Sequence, residues 1–154
     1  MNITFGKHKD KSTELILLTE PDYVKWVLNK SDASGPLLKI KNEFNRLIEI
    51  FDKKNLIKKC NGCGEPATRF SFYNGTIDPM VWCLKCDPYS QGAIEGKLNI
   101  LNKYKDALQY VEYFCGGSKS YYKGIIKNMA SSKGLSEKIV EKSAIDFFNI
   151  TNSQ

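Results

Sequence analysis

The chain has 154 residues, 42% of them hydrophobic, and a net charge of +6 at neutral pH; this length suits one domain or a string of small modules. No apolar run approaches the roughly 18 residues of a membrane helix, and no signal-peptide core follows the N-terminus, so we expect a cytoplasmic protein without membrane contact. The positive charge favours polyanionic partners such as nucleic acid, although charge alone does not name one.

Residues 1–35 are predicted to form a small module in which a hairpin or loop folds against a short helix. Gly6 suits a turn because it adopts backbone angles that other residues avoid, and Pro21 marks the start of a helix. The turn carries a basic tip whose lysines are candidate phosphate contacts, namely Lys7, Lys9 and Lys11. We expect His8, the one histidine, to be solvated and Trp26 to pack in the core.

The residue order of this module follows a recognisable pattern. The pattern consists of Phe5, Gly6, Lys7, His8 and Lys9, followed by Pro21, Asp22, Tyr23 and Trp26. It resembles the small C-terminal domain of exodeoxyribonuclease X and its relatives, which have glycine where this chain has Asp10. In that family the module accompanies DNA-processing domains, so the resemblance implies a nucleic-acid-associated accessory role. The exonuclease domain of that family, with its acidic metal-binding residues, is not in this sequence.

A connecting helix is predicted over 36–54, within a segment of residues 36–57. The preceding stretch, 31–36, is rich in Ser, Gly and Pro and separates the first module from the helix. Apolar residues then recur at steps of three and four, as one helix face requires: Leu37, Ile40, Phe44, Leu47, Ile48 and Phe51.

Two Cys-x-x-Cys pairs in the middle of the chain predict a metal site. Cys60 and Cys63 are separated by nineteen residues from Cys83 and Cys86, which lies within the spacing of zinc sites. In a reducing compartment such pairs bind metal rather than form disulfides. Because four thiolates fill the tetrahedral shell and leave no position for water or substrate, we predict a structural Zn²⁺.

Residues 58–89 are predicted to form a zinc ribbon around this metal. Residues 68–73 alternate in polarity as a strand does, Asn74 and Gly75 favour a turn, and 80–82 return as a second strand. The hairpin offers candidate nucleic-acid contacts, since a cation can meet phosphate and an aromatic ring can stack on an unpaired base: Arg69, Tyr73 and Trp82. For Trp82, packing in the core is the alternative.

Three other interpretations of the cysteines remain open. Residues 60–64 and 82–86 resemble the knuckles of rubredoxins, which hold one iron and carry electrons. However, Asp87 replaces the second knuckle glycine, and the spacer is shorter than in rubredoxins. The thiols can also be reduced and without metal, or form a thioredoxin-like redox pair, although a doubled motif without a βαβ pattern points to metal.

Residues 90–154 are predicted to be helical. A long helix is expected from an N-cap at Ser90 to a stop at Gly116 and Gly117. Its apolar stripe contains Ile94, Leu98, Leu101, Tyr104, Leu108, Val111 and Cys115. On this stripe Cys115 is interpreted as a small buried hydrophobe rather than a ligand.

Two shorter helices are predicted over 119–131 and 137–149, the second capped by Ser136. Their expected inward residues are Tyr122, Ile125, Ile126 and Met129, then Ile139, Val140, Ala144, Phe147 and Phe148. We expect six lysines on or near the solvent side: Lys119, Lys123, Lys127, Lys133, Lys138 and Lys142. These lysines either keep a helical hairpin solvated or belong to a helix-turn-helix.

The predicted fold is therefore α+β and mainly helical, with a hairpin-helix module, a four-cysteine zinc ribbon and C-terminal helices. The sequence contains no nucleotide-binding, metalloprotease or hydrolase motif, and no carboxylate cluster suited to magnesium. We expect a non-enzymatic accessory protein that binds DNA or RNA, and the many Lys, Asn and Ile residues favour a phage or bacterial source. The alternatives are an adaptor or inhibitor that docks on a nucleic-acid-processing protein and, less favoured, a rubredoxin-like electron carrier.

Overall fold

Six α-helices and one three-stranded antiparallel sheet are present in the computed structural model, which describes residues 1–92 and 96–150. The helices are α1 (Thr13–Thr19), α2 (Pro21–Leu28), α3 (Gly35–Lys53), α4 (Tyr104–Phe114), α5 (Lys119–Ser132) and α6 (Glu141–Asn149). The strands are β1 (Arg69–Tyr73), β2 (Met80–Trp82) and β3 (Leu98–Ile100), in the order β2-β1-β3. The fold is α+β, as predicted.

The N-terminal segment forms a loop that is closed by an isolated bridge between Asn2 and Ser12 and by backbone hydrogen bonds. Ile3 N–H donates to Lys11 O over 2.9 Å, and Asp10 N–H donates back to Ile3 O over 2.8 Å. Gly6 has a φ of 76° and Asp10 a φ of 71°. Asp10 thus adopts the left-handed conformation that glycine takes most readily, so the turn is formed without a glycine at that position.

Helix α1 was not predicted from the sequence. It begins at a side-chain cap, in which Ser12 Oγ accepts a hydrogen bond from Leu15 N–H over 3.0 Å. It ends before Pro21, which opens α2 as predicted. The buried run Ile16, Leu17 and Leu18 faces the other helices from three successive positions, and such a short, continuous apolar run has no helical period to detect.

Helix α3 confirms the predicted connecting helix and is the longest described, with 19 residues. Its predicted apolar face is buried at Ile40, Phe44, Leu47, Ile48 and Phe51. Pro36 lies in its first turn, where a missing N–H costs no hydrogen bond.

The first half of the predicted long helix is wrong. Ser90 lies in a turn, Ile94 is outside the described residues, and 98–100 form strand β3. The strand covers the free edge of β1, with Phe72 opposite Asn99. The helical part starts only at Tyr104, whose N–H donates to the carboxylate of Asp52 over 2.8 Å. Gly116 and Gly117, both at φ 67°, end α4 as predicted.

The C-terminal helices follow the prediction more closely. Helix α5 buries all four predicted positions: Tyr122, Ile125, Ile126 and Met129. Helix α6 buries Ala144, Phe147 and Phe148 but starts at Glu141 rather than 137. Ser136 is not its cap, because its hydroxyl donates to Lys138 O. Val140 is exposed instead of inward, and its N–H donates to Ser143 Oγ at the helix start.

Lys133 is the clear exception to the prediction of solvated lysines. Only 2% of it is exposed, and its Nζ donates to Phe51 O over 2.8 Å and to Lys54 O over 2.9 Å. These carbonyls belong to the C-terminus of α3 and the cap residue after it, where the last carbonyls of a helix have no partner within the helix. Phe51 O also accepts from the cap N–H of Lys54 over 3.2 Å, so the buried ammonium group adds to the hydrogen bonding at this end of the helix.

One hydrophobic core joins the N-terminal module, the connecting helix, the sheet and the C-terminal helices. It includes Ile3 from the hairpin, Phe44 from α3, Phe70 and Phe72 from β1, and Phe147 from α6. The predicted segments 1–35, 36–57, 58–89 and 90–154 describe sequence order, but their buried residues pack together in space. Among the residues described, no helix combines the length and apolar character needed to cross a bilayer.

Candidate functional site

The four predicted metal ligands are brought together. The sulfurs of Cys60, Cys63, Cys83 and Cys86 all lie within 4.8 Å of one another, and those of Cys63 and Cys83 are 3.7 Å apart. No other group of three or more His, Cys, Asp or Glu side chains is placed to hold a metal in the parts of the chain covered by the structure. The cluster is therefore positioned to bind one metal ion.

Two tight turns position these sulfurs. Gly64 N–H donates to Cys60 O in the first turn, and Asp87 N–H donates to Cys83 O in the second, both over 3.0 Å. The N–H of Gly62 also points at the sulfur of Cys60, at 3.3 Å. Such turns hold two ligands at the correct separation and direct backbone amides at them, as outer-shell contacts in metal sites do.

The thiols of the cluster differ in how readily they ionise. Burial raises the pKa of Cys60, but the N–H groups of Cys83, Gly62 and Cys63 outweigh it and lower that pKa to about 6. The neighbouring sulfur of Cys63, by contrast, raises the pKa of Cys86 to about 12. Cys60 and Cys86 therefore do not ionise together in the absence of metal, and a divalent cation would take the place of the remaining proton.

The donor set fits a structural metal such as zinc. Four thiolates complete a tetrahedral shell, and no described His, Asp or Glu adds to the cluster. Cys115 is not part of it. This fifth cysteine is partly buried against the hydrophobic core, and burial raises its pKa, which agrees with its predicted role as a small apolar residue.

The predicted β-hairpin carries the three candidate contacts of the ribbon on one face. Arg69 in β1 lies opposite Trp82 in β2. Every second side chain of a strand points to the same face, so Arg69 and Tyr73, four positions apart in β1, share a face. The other face, with Phe70, Phe72 and Val81, is buried in the core. We name the first surface the ribbon face, defined by Arg69, Tyr73 and Trp82.

Polar contacts fix two of these three side chains. Arg69 Nη1 lies 3.0 Å from Asp87 Oδ2, an ion pair that ties β1 to the second cysteine turn. The indole N–H of Trp82 donates to Ser71 Oγ over 2.8 Å. Trp82 is half-buried and is not a core residue. Tyr73 is 48% exposed and is the residue of this face most accessible to a ligand.

The N-terminal tip presents its lysines to solvent but not its histidine. Lys7, Lys9 and Lys11 are exposed, whereas His8 is only 6% exposed, contrary to prediction. Its imidazole packs edge-on against Tyr23, with ring centroids 4.6 Å apart. Trp26 is also contrary to prediction, because it is 49% exposed and its ring stacks on that of Tyr23.

A cleft that the sequence did not predict lies between the helices and the ribbon. It encloses about 460 Å³. Its lining residues include Asp52, Asn55, Thr68, Asn102 and Lys133. The one signal for it in the sequence is the run of lysines at 53, 54, 58 and 59 between α3 and the first cysteine, which marks a charged surface but not a cavity.

Comparison of the chain with protein-family models, with curated protein sequences and with solved structures finds no match. The functional interpretation therefore depends on the geometry of the metal cluster and of the surfaces around it.

Proposed function

We propose that this protein is a non-enzymatic, zinc-stabilised accessory factor that binds DNA or RNA. The observation that carries the proposal is the ribbon face. There the guanidinium of Arg69 and the rings of Tyr73 and Trp82 lie on one surface, supported by the second cysteine turn and the core. A ring that is exposed but fixed at its base can stack on an unpaired base, while nearby cations meet phosphates. The net charge of +6 supports a polyanionic partner.

The N-terminal tip supplies a second set of proposed phosphate contacts. Its lysines, Lys7, Lys9 and Lys11, lie on a turn whose backbone is fixed by hydrogen bonds to Ile3. Lysines placed in this way contribute affinity without base specificity. The resemblance of this segment to exodeoxyribonuclease X C-terminal domains fits the same role.

Two measurements on the purified protein test the proposal. Elemental analysis is expected to find one zinc per chain. Fluorescence anisotropy with labelled single- and double-stranded DNA and RNA is expected to show binding that weakens steeply with added salt, because phosphate contacts release counterions. The absence of binding to every nucleic acid at low salt would contradict the proposal.

Tyr73→Ala is expected to weaken binding to single-stranded nucleic acid about five-fold or more, since stacking on an aromatic side chain contributes roughly 1–3 kcal/mol per base. The matched control is Tyr113→Ala, which removes a tyrosine that is 79% exposed on α4. An equal loss in both variants would show that Tyr73 is not a specific contact.

A second candidate function is a protein-binding adaptor or inhibitor of a nucleic-acid-processing enzyme. It is favoured by the aromatic end of α4, where Tyr113 is 79% exposed and Phe114 is 44% exposed, because exposed apolar clusters serve as protein contacts. Binding through such a surface would be largely insensitive to salt. Iron in place of zinc, with a coloured protein, would favour the rubredoxin-like alternative instead.

A further inference from the structure

The cleft between the helices and the ribbon is large enough for a small ligand. Its volume of about 460 Å³ lies within the range of roughly 300–1,000 Å³ usual for ligand pockets. Both parts of the fold contribute to it: Asp52 and Asn55 come from α3 and the segment after it, Thr68 and Phe70 from the ribbon, and Asn102 from the return to α4.

The polar groups of the cleft combine one acceptor and two amides. Asp52 Oδ1 accepts from Tyr104 N–H, and its second oxygen has no hydrogen-bond partner among the described residues. Asn102 Oδ1 accepts from Phe70 N–H over 3.2 Å, which directs its NH₂ group away from that bond as a donor. The amide of Asn55 has no side-chain hydrogen bond within the described chain and supplies a further donor.

Lys54 and Lys133 also line the cleft. Their ammonium groups donate to backbone carbonyls and bring positive charge to the cleft. Four exposed lysines are neighbours of the lining residues in the chain: Lys53, Lys58, Lys59 and Lys103. Of these, Lys58 is also hydrogen-bonded through its carbonyl to the lining residue Ala67.

We propose that this cleft receives a single unpaired nucleobase that carries an exocyclic amino group, with cytosine as the best match. The Watson–Crick edge of cytosine offers one amino donor and two acceptors, which pair with the Asp52 carboxylate and the amides of Asn55 and Asn102. Thymine and uracil place a carbonyl oxygen against the carboxylate and are disfavoured. The phosphates on either side of the base reach the exposed lysines.

This inference rests on the proposed nucleic-acid binding but makes a separate statement about base preference. The wild-type protein is expected to bind oligo(dC) at least about five-fold more tightly than oligo(dT) of equal length, the lower end of the discrimination that a base-edge contact provides. Asp52→Asn keeps an acceptor for Tyr104 N–H and removes one negative charge. It is therefore expected to abolish the preference without weakening the binding of oligo(dT).

Asp106→Asn is the matched control, because it removes the same charge from an exposed residue of α4 that lies close enough to influence Asp52. The control is expected to retain the preference for oligo(dC). Asn55→Ala, which changes no charge and breaks no hydrogen bond of the described fold, is expected to reduce the preference as Asp52→Asn does.

Equal binding of the two oligonucleotides, or a preference that survives both Asp52→Asn and Asn55→Ala, would overturn the inference and leave the proposed function standing. If no oligonucleotide or RNA binds, the proposed function fails, and titration with mononucleotides decides about the cleft. Cytidine 5′-monophosphate, but not uridine 5′-monophosphate, is expected to shift the side-chain amide NMR signals of Asn55 and Asn102. Unchanged signals at millimolar concentration would overturn the inference.

Discussion

Gly62 determines how closely the two cysteine turns approach each other. A Cβ atom at this position would lie 2.9 Å from both Cβ and Sγ of Cys86, closer than non-bonded atoms in proteins come. Any side chain at position 62 would therefore push the second pair of sulfurs away from the first.

Gly62→Ala is expected to reduce zinc affinity about ten-fold or more, the lower limit for changes around the ligands of a metal site. Competition with a chromogenic chelator measures this affinity. Gly96→Ala is the control, because a Cβ there has nothing within 4 Å. If Gly62→Ala binds zinc as tightly as the control does, the approach seen between the turns does not constrain the site.

His8 makes folding depend on pH. Burial lowers its pKa most; Lys7 and Lys11 lower it further, while Glu20 and Asp22 oppose this. Neither of its nitrogens has a hydrogen-bond partner among the described residues. The unfolded chain, in which histidine titrates near pH 6.5, thus takes up a proton before the folded protein does.

The free energy of unfolding is expected to fall as the pH is lowered through about 6.5, with a slope of at most about 1.4 kcal/mol per pH unit from this one group. Urea unfolding of the wild type and of His8→Phe between pH 7.5 and 6 measures the effect. The variant keeps a ring against Tyr23 and should lose less stability on acidification. Parallel decreases in the two proteins would show that His8 does not titrate differently on folding.

For individual residues, the sequence predicts the metal ligands better than it predicts which side chains are buried. Cysteine spacing identifies all four sulfurs, because the chemistry of a thiolate site depends on short local turns. The burial of His8 and Lys133 is not predictable in the same way. Each is enclosed by residues distant in sequence, Tyr23 for the first and Phe51 for the second.

Helix α1 depends on a hydrogen bond from another helix. The carbonyl of Leu17 would normally accept from the residue four positions later, which is Pro21 and has no N–H. The hydroxyl of Tyr104, fully buried at the start of α4, donates to this carbonyl over 2.7 Å. A side chain from the second half of the chain thus supplies the donor that the proline removes.

Tyr104→Phe is expected to lower the free energy of unfolding by about 1–3 kcal/mol, because it leaves a buried carbonyl without a donor. Chemical denaturation measures the change. Tyr113→Phe, at a residue that is 79% exposed, should have no effect within error. An unchanged stability of Tyr104→Phe would mean that another donor reaches Leu17 O.

The first part of the predicted long helix is strand β3 in the structure, and the sequence could not show this. Leu98 and Leu101 have the spacing of a helix face, so periodicity alone assigns them to α4. Strand β3 exists because the edge of β1 offers unpaired backbone groups, and it pairs Tyr73 with Leu98. A strand of three residues has too few positions to show its own period of two.

The hydrophobic core links metal binding to the stability of the helices. Besides the burial of Phe70 and Phe72, the hairpin loop contacts α5, where Asn128 Nδ2 donates to Ile77 O over 2.7 Å. Helix α4 also contributes, as the hydroxyl of Tyr110 donates to the loop carbonyl of Thr76 over 2.7 Å. Disorder in the ribbon would therefore remove contacts from both helices.

Removal of the metal with a chelator is expected to lower the midpoint of thermal unfolding, followed by circular dichroism at a helical wavelength, while most of the helical signal at low temperature remains. Cys60→Ser should behave like the metal-free protein, because three thiolates bind zinc less tightly than four. Cys115→Ser should behave like the wild type, since this cysteine lies outside the cluster. Equal midpoints with and without metal would show that the ribbon and the helices unfold independently.

The hydrogen bond between Asp52 and Tyr104 joins residues that are 52 positions apart, with the whole ribbon between them. In polymer terms, the segment between Asp52 and Tyr104 is a loop inserted into a helical domain. Its two ends are held together by the hydrogen bond between these residues. The entropy of closing a loop grows only with the logarithm of its length, by about 0.6 kcal/mol per doubling. The helical domain can therefore accept ribbons of different length at this point with little change in closure entropy, provided that the contacts of the sheet with the helices are kept.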